Sequence, residues 1–421
     1  MSIATKRAYL KVLAGGGGTF MKHIKMFRAA LATLAAVFAG GYAFAEETQV
    51  EDTPEVEETP AVTKVKWLKP KYTSTMTVEG YSGETELENF PVAVRISTAN
   101  IPGFDYSKCD GEGDITFTDD EGNILPHEIE VWNTEGESVA WVSIPKLATV
   151  VAEDKTTYTT FKMNWGHETK LANIRSNEVW TAADYRGVWH MNEYDPEKLT
   201  QYDSTGNGFN ATYATSTKTT GISMTSAKIG KAFYRKFDKN TVGECATTPK
   251  LMATMKLNYK GCMVSGWAYY SGYTATGQQY LFRVENTDSS GKSWGLTTQS
   301  KTIRSKFKTN SGVVIGSGLS PASGWFHWVI RVTGSKYEYF LNGVLLSEKN
   351  SPGSDADYSQ YAGISRWTCG GVTGFLDEMR YKNGVISDDW IKAEYDSINN
   401  KQFVVASESV KNGYGLKIIV R

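Results

Sequence analysis

Two periodicities run along this chain, and they divide it unequally. From about Trp67 to Trp165, apolar and polar residues alternate in short bursts, as in the run beginning Tyr72-Thr-Ser-Thr-Met and the run beginning Phe90-Pro-Val-Ala-Val-Arg. Further bursts begin at Asp114, His127, Val139 and Thr157. A period of two over five to seven residues, broken by turn residues such as Asp119-Asp-Glu-Gly-Asn, predicts β-strands with one buried face. A second strand series opens at Gly187 and continues through the runs at Lys231, Gly261, Gln279, Trp325 and Lys336 to the run at Gly374. Asn342-Gly343 between two apolar runs predicts a two-residue hairpin. Helical periodicity appears convincingly once. Ser387 offers an N-cap, Asp388 and Asp389 fill the first turn, and Trp390, Ile391, Ala393 and Tyr395 supply an apolar stripe. The expected fold class is therefore all-β, with two antiparallel sandwich domains.

The N-terminal part reads differently. Lys22, Lys25 and Arg28 precede an apolar stretch over 29–37, and Ala43-Phe44-Ala45 fits an A-x-A cleavage site. That is a signal peptide over 21–45, and it predicts an exported protein, periplasmic, cell-surface or extracellular, with no transmembrane segment once it is removed. Residues 1–20 fit no export signal; four glycines stand just before Met21, which reads as the true start. Residues 46–66 are acidic, hold Pro54 and Pro60 and carry no aromatic residue, which suits a disordered tether. The expected organisation continues with a sandwich over 67–176, a second over 177–398 and a C-terminal tail over 399–421.

Composition adds exclusions. The net charge of −1 gives no global field to recruit nucleic acid. Four cysteines, Cys109, Cys245, Cys262 and Cys369, are disulfide candidates in an exported chain, with free buried thiols as the alternative. No nucleophile elbow, phosphate loop or zinc-binding helix is present. His127, His167, His190 and His327 show no ligand spacing and read as loop or edge residues.

Six motifs in order give a resemblance. They are the run Asp203-Ser-Thr-Gly-Asn-Gly-Phe-Asn-Ala, Ile229-Gly-Lys-Ala-Phe, Cys262-Met-Val-Ser-Gly-Trp-Ala-Tyr, Trp325-Phe-His-Trp-Val, Tyr339-Phe-Leu-Asn-Gly, and Gly374-Phe-Leu-Asp-Glu-Met-Arg-Tyr. Over 185–395 the chain resembles the laminin-G-like, concanavalin A-like jelly rolls of bacterial surface proteins. The region 67–165 resembles the domain of unknown function 2341, through Asn89-Phe-Pro-Val-Ala-Val-Arg-Ile, Gly113-Asp-Ile-Thr-Phe-Thr-Asp, Leu125-Pro-His-Glu-Ile-Glu-Val-Trp and Ala140-Trp-Val-Ser-Ile-Pro. The first resemblance implies that calcium is common but not universal. Asp203 and Asn207, with Asp377, are candidate oxygen ligands for a structural calcium; the alternatives are an Asx-type turn at Asp203 and amide hydrogen bonds at Asp377.

Catalysis needs two converging carboxylates. Strict alternation puts Asp377 and Glu378 on opposite faces and pairs Glu378 with Arg380. Glu128 and Glu130 share a face and superficially resemble the strand acids of glycoside hydrolase family 16, but Trp132 stands where the next acid belongs, so they read as solvated charges. Sugar rings stack on exposed aromatics, and Trp294, Trp367, Tyr270 and Tyr273 are the candidate ligand-binding residues. The expected function is a non-catalytic binding or adhesion protein for glycans or surface polymers. A glycoside hydrolase or lyase, and a purely structural envelope component, are the alternatives. The sequence leaves the oligomeric state open.

The leader reading predicts that N-terminal sequencing finds Glu46 on the exported protein and Met21 on its unprocessed precursor. A precursor beginning at Met1 or Ser2 refutes the upstream reading.

Overall fold

Strand alternation dominates the computed structural model, which describes residues 70–150, 158–167, 176–192, 200–212, 222–235, 246–249, 261–273, 279–285, 293–299, 302–309, 312–315, 324–350, 364–367 and 372–413. For the strand residues within 212–226, 234–249, 270–315 and 364–373, it describes the backbone alone.

The first sandwich is built from β1 (Tyr72–Val78), β2 (Leu87–Ile96), β3 (Thr116–Thr118), β4 (His127–Val131), β5 (Ser138–Leu147) and β6 (Thr160–Trp165). One sheet contains β1, β6 and β3; the other runs β2-β5-β4. They share a core in which Met76, Phe161 and Trp165 from one sheet join Val92, Val94 and Val142 from the other. β1 buries alternate residues, the period of two seen in the sequence, whereas β2 is buried on both faces from Phe90 to Val94.

A short helix α1 (Glu178–Thr181) buries Trp180 and leads into β7 (Tyr185–Trp189). The second sandwich continues with β8 (Thr200–Gln201), β9 (Ala211–Thr212), β10 (Ile222–Ser226), β11 (Lys231–Arg235), β12 (Ala246–Pro249) and β13 (Gly261–Tyr273). Next come β14 (Gln279–Glu285), β15 (Ser293–Gln299), β16 (Thr302–Thr309), β17 (Gly312–Ile315), β18 (Gly324–Thr333), β19 (Lys336–Leu341) and β20 (Val344–Asn350). Last are β21 (Ile364–Trp367) and β22 (Val372–Asn383). One eight-stranded sheet runs β10-β11-β22-β13-β18-β19-β20, with β7 also on β22; the other runs β17-β16-β15-β14-β21-β12-β9-β8. The pairings are antiparallel. The hairpin predicted at Asn342-Gly343 forms: both residues have positive φ, 50° and 78°, and Leu341 pairs with Val344.

The helix predicted after Ser387 is α2 (Asp388–Asn399), and the Ser387 Oγ accepts the Trp390 amide at 3.1 Å. It is more than an end-cap to one sandwich. Trp390 packs edge-on against Phe90 of β2, while Tyr395 stacks on Trp267 of β13, so the helix is wedged between the two sandwiches. Ser397 accepts the amide of Ala93, and Arg95 donates to the Ile398 carbonyl, which satisfies backbone groups at the helix end.

Beyond the helix, the expected C-terminal tail over 399–421 instead returns to the first sandwich. β23 (Val404–Ala406) and β24 (Val410–Lys411) both pair with β1. Phe403 sits at the turn into β23, 1% exposed, and its carbonyl accepts the Gly80 amide. Residues 414–421 lie outside the described residues. The described residues from Pro70 to Gly413 belong to one compact unit.

That return predicts a stability role for Phe403. Phe403→Ala should cost about 3–5 kcal/mol in denaturant unfolding, the range for emptying a buried aromatic site. A loss below about 1 kcal/mol would show that the C-terminal segment does not hold the first sheet.

Candidate functional site

Two strand irregularities decide where the acids go. Along β4, Ile129 pairs with Ala140 and Val131 with Val139, so Glu130 is an extra residue in the ladder. On β22, Asp377 pairs with Trp267 and Arg380 with Ser265, so Glu378 and Met379 together face Gly266. Glu378 takes φ +50°, in the left-handed region. Both are β-bulges, which re-aim side chains away from the simple alternation. Gly266 is required there, because an added Cβ would lie 2.6 Å from the Met379 sulfur and 3.2 Å from the Trp328 ring.

The two bulges point their carboxyls at one imidazole. His190, just past β7, has Nδ1 at 2.9 Å from Glu378 Oε1 and 3.3 Å from Glu130 Oε2, and Nε2 at 3.4 Å from Glu128 Oε2. The side chains of Glu130 and Glu378 are each 1% exposed. Arg380 donates to Glu378 Oε2 at 2.6 Å, and its guanidinium lies 4.3 Å from the Trp141 ring centre and 4.9 Å from that of Trp180. The indole N–H groups of Trp141 and Trp180 donate to Glu130 and Glu128 at 2.6 and 2.5 Å, and Asn192 donates to the other oxygen of Glu130. The network therefore joins β4 and β5 of the first sandwich to β7 and β22 of the second.

Electrostatics separates the two glutamates. Burial, reinforced by the charge of Glu378, pushes the Glu130 carboxyl up to about 8. Glu378 is also buried, but His190 and Arg380 outweigh that cost and hold it below the usual range. Burial opposes a charge on His190; Glu378, Glu130 and Glu128 overcome it and raise the imidazole well above its ordinary value. One acid is thus kept neutral beside another kept charged.

Glu128 and Glu130 are therefore not solvated face charges: they are anchored by buried tryptophans, and their bulged strand lies against the second sandwich. The histidines read as loop or edge residues do follow β6 and β7 (His167 and His190) or lie on the edge strand β4 (His127), with only His327 on a central strand, but none is a bystander. His127 is fully buried with both ring nitrogens near backbone carbonyls, His327 is 1% exposed against Glu394, and His167 pairs with Asp114. No spacing signal existed because the acids that meet His190 come from 62 and 188 residues away.

Asp377 and Glu378 do diverge. Asp377 accepts the amides of Lys228 and Ile229 at 3.0 and 3.1 Å through Oδ2, and that of Glu378 through Oδ1. Glu378 pairs with Arg380 as alternation implied, although a bulge rather than a regular pleat arranges it. Asp203 accepts amides from Val188, Thr205 and Phe209 and the Thr205 hydroxyl, an Asx-type turn, while Asn207 donates to the Arg186 carbonyl. Among the described residues, Asp203 and Asp377 share no hydrogen-bond partner. The turn and amide alternatives account for both.

The candidate aromatics divide between sheets. Trp294 lies on β15 and Trp367 on β21, either side of β14, whereas Tyr270 and Tyr273 lie on β13 of the other sheet. Trp294 pairs with Val284, Val284 pairs with Ser365, and Trp367 follows Ser365 by two, so both tryptophan positions fall on one face. The side chains of all four lie outside the described residues. Trp267 and Trp328 are fully buried, and Trp325 half-buried. Cys109 and Cys262 carry free thiols, one half-buried and one buried; Cys245 and Cys369 lie outside the described residues, next to β12 and two positions beyond β21.

A groove of about 880 Å³ opens beside the network, lined by Arg95, Trp132, Asn133, Asn192, Lys228 and Lys231 among others, with Glu130 at its wall. A smaller cavity of about 70 Å³ lies against Glu128, Glu130, His190 and Gln201.

Two antiparallel eight-stranded sheets, with a short helix closing the series, point to a known superfamily. Residues 250–392 match the family profile described as the concanavalin A-like lectin/glucanases superfamily. The concanavalin A-like match takes in Glu378 and Arg380, while Glu128, Glu130 and His190 precede it. Solved structures with a similar fold include the binding domain of botulinum neurotoxin DC in complex with SialylT, 13% identical over 52% of each chain with a TM-score of 0.40. The binding domain of Paraclostridial mosquitocidal protein 1 is 13% identical over 52% of this chain and 53% of that one, with a TM-score of 0.40. Domain 4 of the GH43 extracellular arabinanase AbnA from Geobacillus stearothermophilus, in complex with arabinotriose, is 19% identical over 50% of this chain and 97% of its own, with a TM-score of 0.38. The chain thus spans about half the length of the two toxin structures. No curated protein sequence matches the chain. Among the described residues, no helix is long and apolar enough to cross a membrane.

The Glu130 environment predicts a pH effect. Its folded pKa of about 8 exceeds the ordinary 4.5, so the folded state holds the proton more tightly. Its contribution is fully present below pH 4.5 and lost as pH rises through about 8. In chelator-treated protein, Glu130→Gln should therefore gain stability relative to wild type between pH 5 and 8, by up to about 1.4 kcal/mol per pH unit, the limit for one proton. Parallel stability curves across that range contradict this assignment.

Proposed function

We propose that the chain is an exported, non-catalytic glycan-binding protein whose concanavalin A-like sandwich carries the recognition surface. The match of residues 250–392 to a lectin and glucanase superfamily carries this reading. The strand register supports it, because Trp294 and Trp367 occupy one face of one sheet, a single strand apart. Two aromatic positions on one sheet face suit the stacking by which sugar rings are bound. The leader over 21–45 supports export, and the motifs over 67–165 support membership of the first sandwich in the domain of unknown function 2341.

An enzymatic reading has one observation in its favour: Glu130 is kept protonated beside an ionised Glu378, the pattern of an acid and its partner. Access weighs against it. Both carboxyls are 1% exposed and engaged by Trp141, Asn192, His190 and Arg380, so neither reaches a glycosidic oxygen in a groove.

A glycan array of the exported protein should give saturable binding that Trp294→Ala and Trp367→Ala each reduce by about tenfold or more, the loss of one stacking contact of roughly 1.5 kcal/mol. Binding unchanged in the double variant removes this surface. Hydrolysis or lyase turnover of any bound glycan, abolished by Glu130→Gln, would establish the enzymatic reading instead.

A further inference from the structure

We propose that Glu130, His190 and Glu378 form a binding site for a first-row divalent transition ion, with zinc as the reference ion, at the seam between the two sandwiches. This inference stands apart from glycan recognition.

Geometry carries it. One ligand atom from each of Glu130, His190 and Glu378 can be chosen so that all lie within 4.8 Å of one another. The separations from Nδ1 are 3.3 Å to Glu130 and 2.9 Å to Glu378; a tetrahedral ion with arms of about 2.0–2.2 Å sets its ligands about 3.3–3.6 Å apart, so the first already fits and the second opens by about half an ångström as the ion replaces the hydrogen bond. Three protein ligands leave a further position for water, as in open zinc sites. An imidazole nitrogen with two carboxylates suits zinc and its neighbours better than calcium, which takes six to eight oxygens.

The surroundings are those of a supported ligand set. Glu128 Oε2 faces the remote nitrogen of His190 at 3.4 Å, the position that orients a ligating imidazole so that Nδ1 turns to the ion. The second oxygen of Glu378 is held by Arg380 and that of Glu130 by Asn192, leaving Oε1 and Oε2 respectively directed at the imidazole. Trp141 donates to the same Glu130 Oε2, whose second lone pair remains for the ion.

An independent observation also points to a ligand here. Gln201 is 1% exposed and its Nε2 has no hydrogen-bond partner. It lines the 70 Å³ cavity together with Glu128, Glu130 and His190. A buried amide donor without a partner carries a desolvation cost. An ion-bound water in that cavity would accept its N–H, and the volume accommodates one. Charge balance agrees: two carboxylates and a neutral imidazole neutralise a divalent ion, and ligand deprotonation accompanies binding.

The test is calorimetric titration of the chelator-stripped full chain with zinc chloride alone. We expect one zinc per chain, proton release read from the dependence of the heat on buffer ionisation, and a raised melting temperature. Glu130→Gln, His190→Gln and Glu378→Gln should each abolish saturable binding, while Glu128→Gln should weaken it about 10–100-fold. Cys109→Ser and Cys262→Ser should leave it unchanged. If a ligand variant fails to fold, X-ray absorption of the zinc-loaded wild type decides, with one imidazole and oxygen neighbours expected. No bound zinc, sulfur in the coordination sphere, full retention by Glu130→Gln, or equal affinity for calcium each overturns the proposal.

Discussion

The meeting of Glu130, Glu378 and His190 is the constraint around which the two sandwiches are joined. Placing charges where water is scarce costs several kcal/mol per ion unless every lone pair and proton finds a partner. Here Arg380 neutralises Glu378, the tryptophan N–H groups of the first sandwich and its linker cap Glu130 and Glu128, and His190 bridges the acids. Because those partners come from β4, β5, α1, β7 and β22, the network is satisfied only when both sandwiches are in place. Directional polar contacts of this kind fix one relative placement of two apolar surfaces that could otherwise slide.

Helix α2 makes the same junction by different means. Its apolar stripe faces both sandwiches, through Phe90 on one side and Trp267 on the other. Inside it Glu394 is held far below the usual range, to about 2, because His327 and Arg380 overcome the cost of its burial. The Tyr185 hydroxyl donates to Glu394 at 2.6 Å. Arg380 thus lies between two buried acids, Glu378 and Glu394, and influences both. The chain then returns through Phe403 to complete the first sheet, so first and last described strands are neighbours. Cutting the chain between the two strand series would leave β1 without two of its partners.

Much of the strand inventory was legible because side-chain alternation is local. Met76 and Val78 of β1, Phe161 and Met163 of β6, and the Asn342-Gly343 turn could be found from their neighbours alone. The Ser387 cap and the stripe behind it were readable for the same reason. The late strands β23 and β24 were not, since such short strands carry little periodicity and their pairing partner lies more than 300 residues upstream.

Local sequence dictates the all-β class, the two strand series and the closing helix, because each arises from a period of two or 3.6. Which acids converge is a property of the tertiary structure alone. A bulge adds one residue to one strand and reverses the facing of the residues beyond it, and nothing local marks Glu130 or Glu378 as the extra residue. His190 acquires its acidic surroundings solely because separate sheets meet there. Burial then sets the charge of each group, and burial depends on the packing of distant chain segments, which no spacing along the chain encodes.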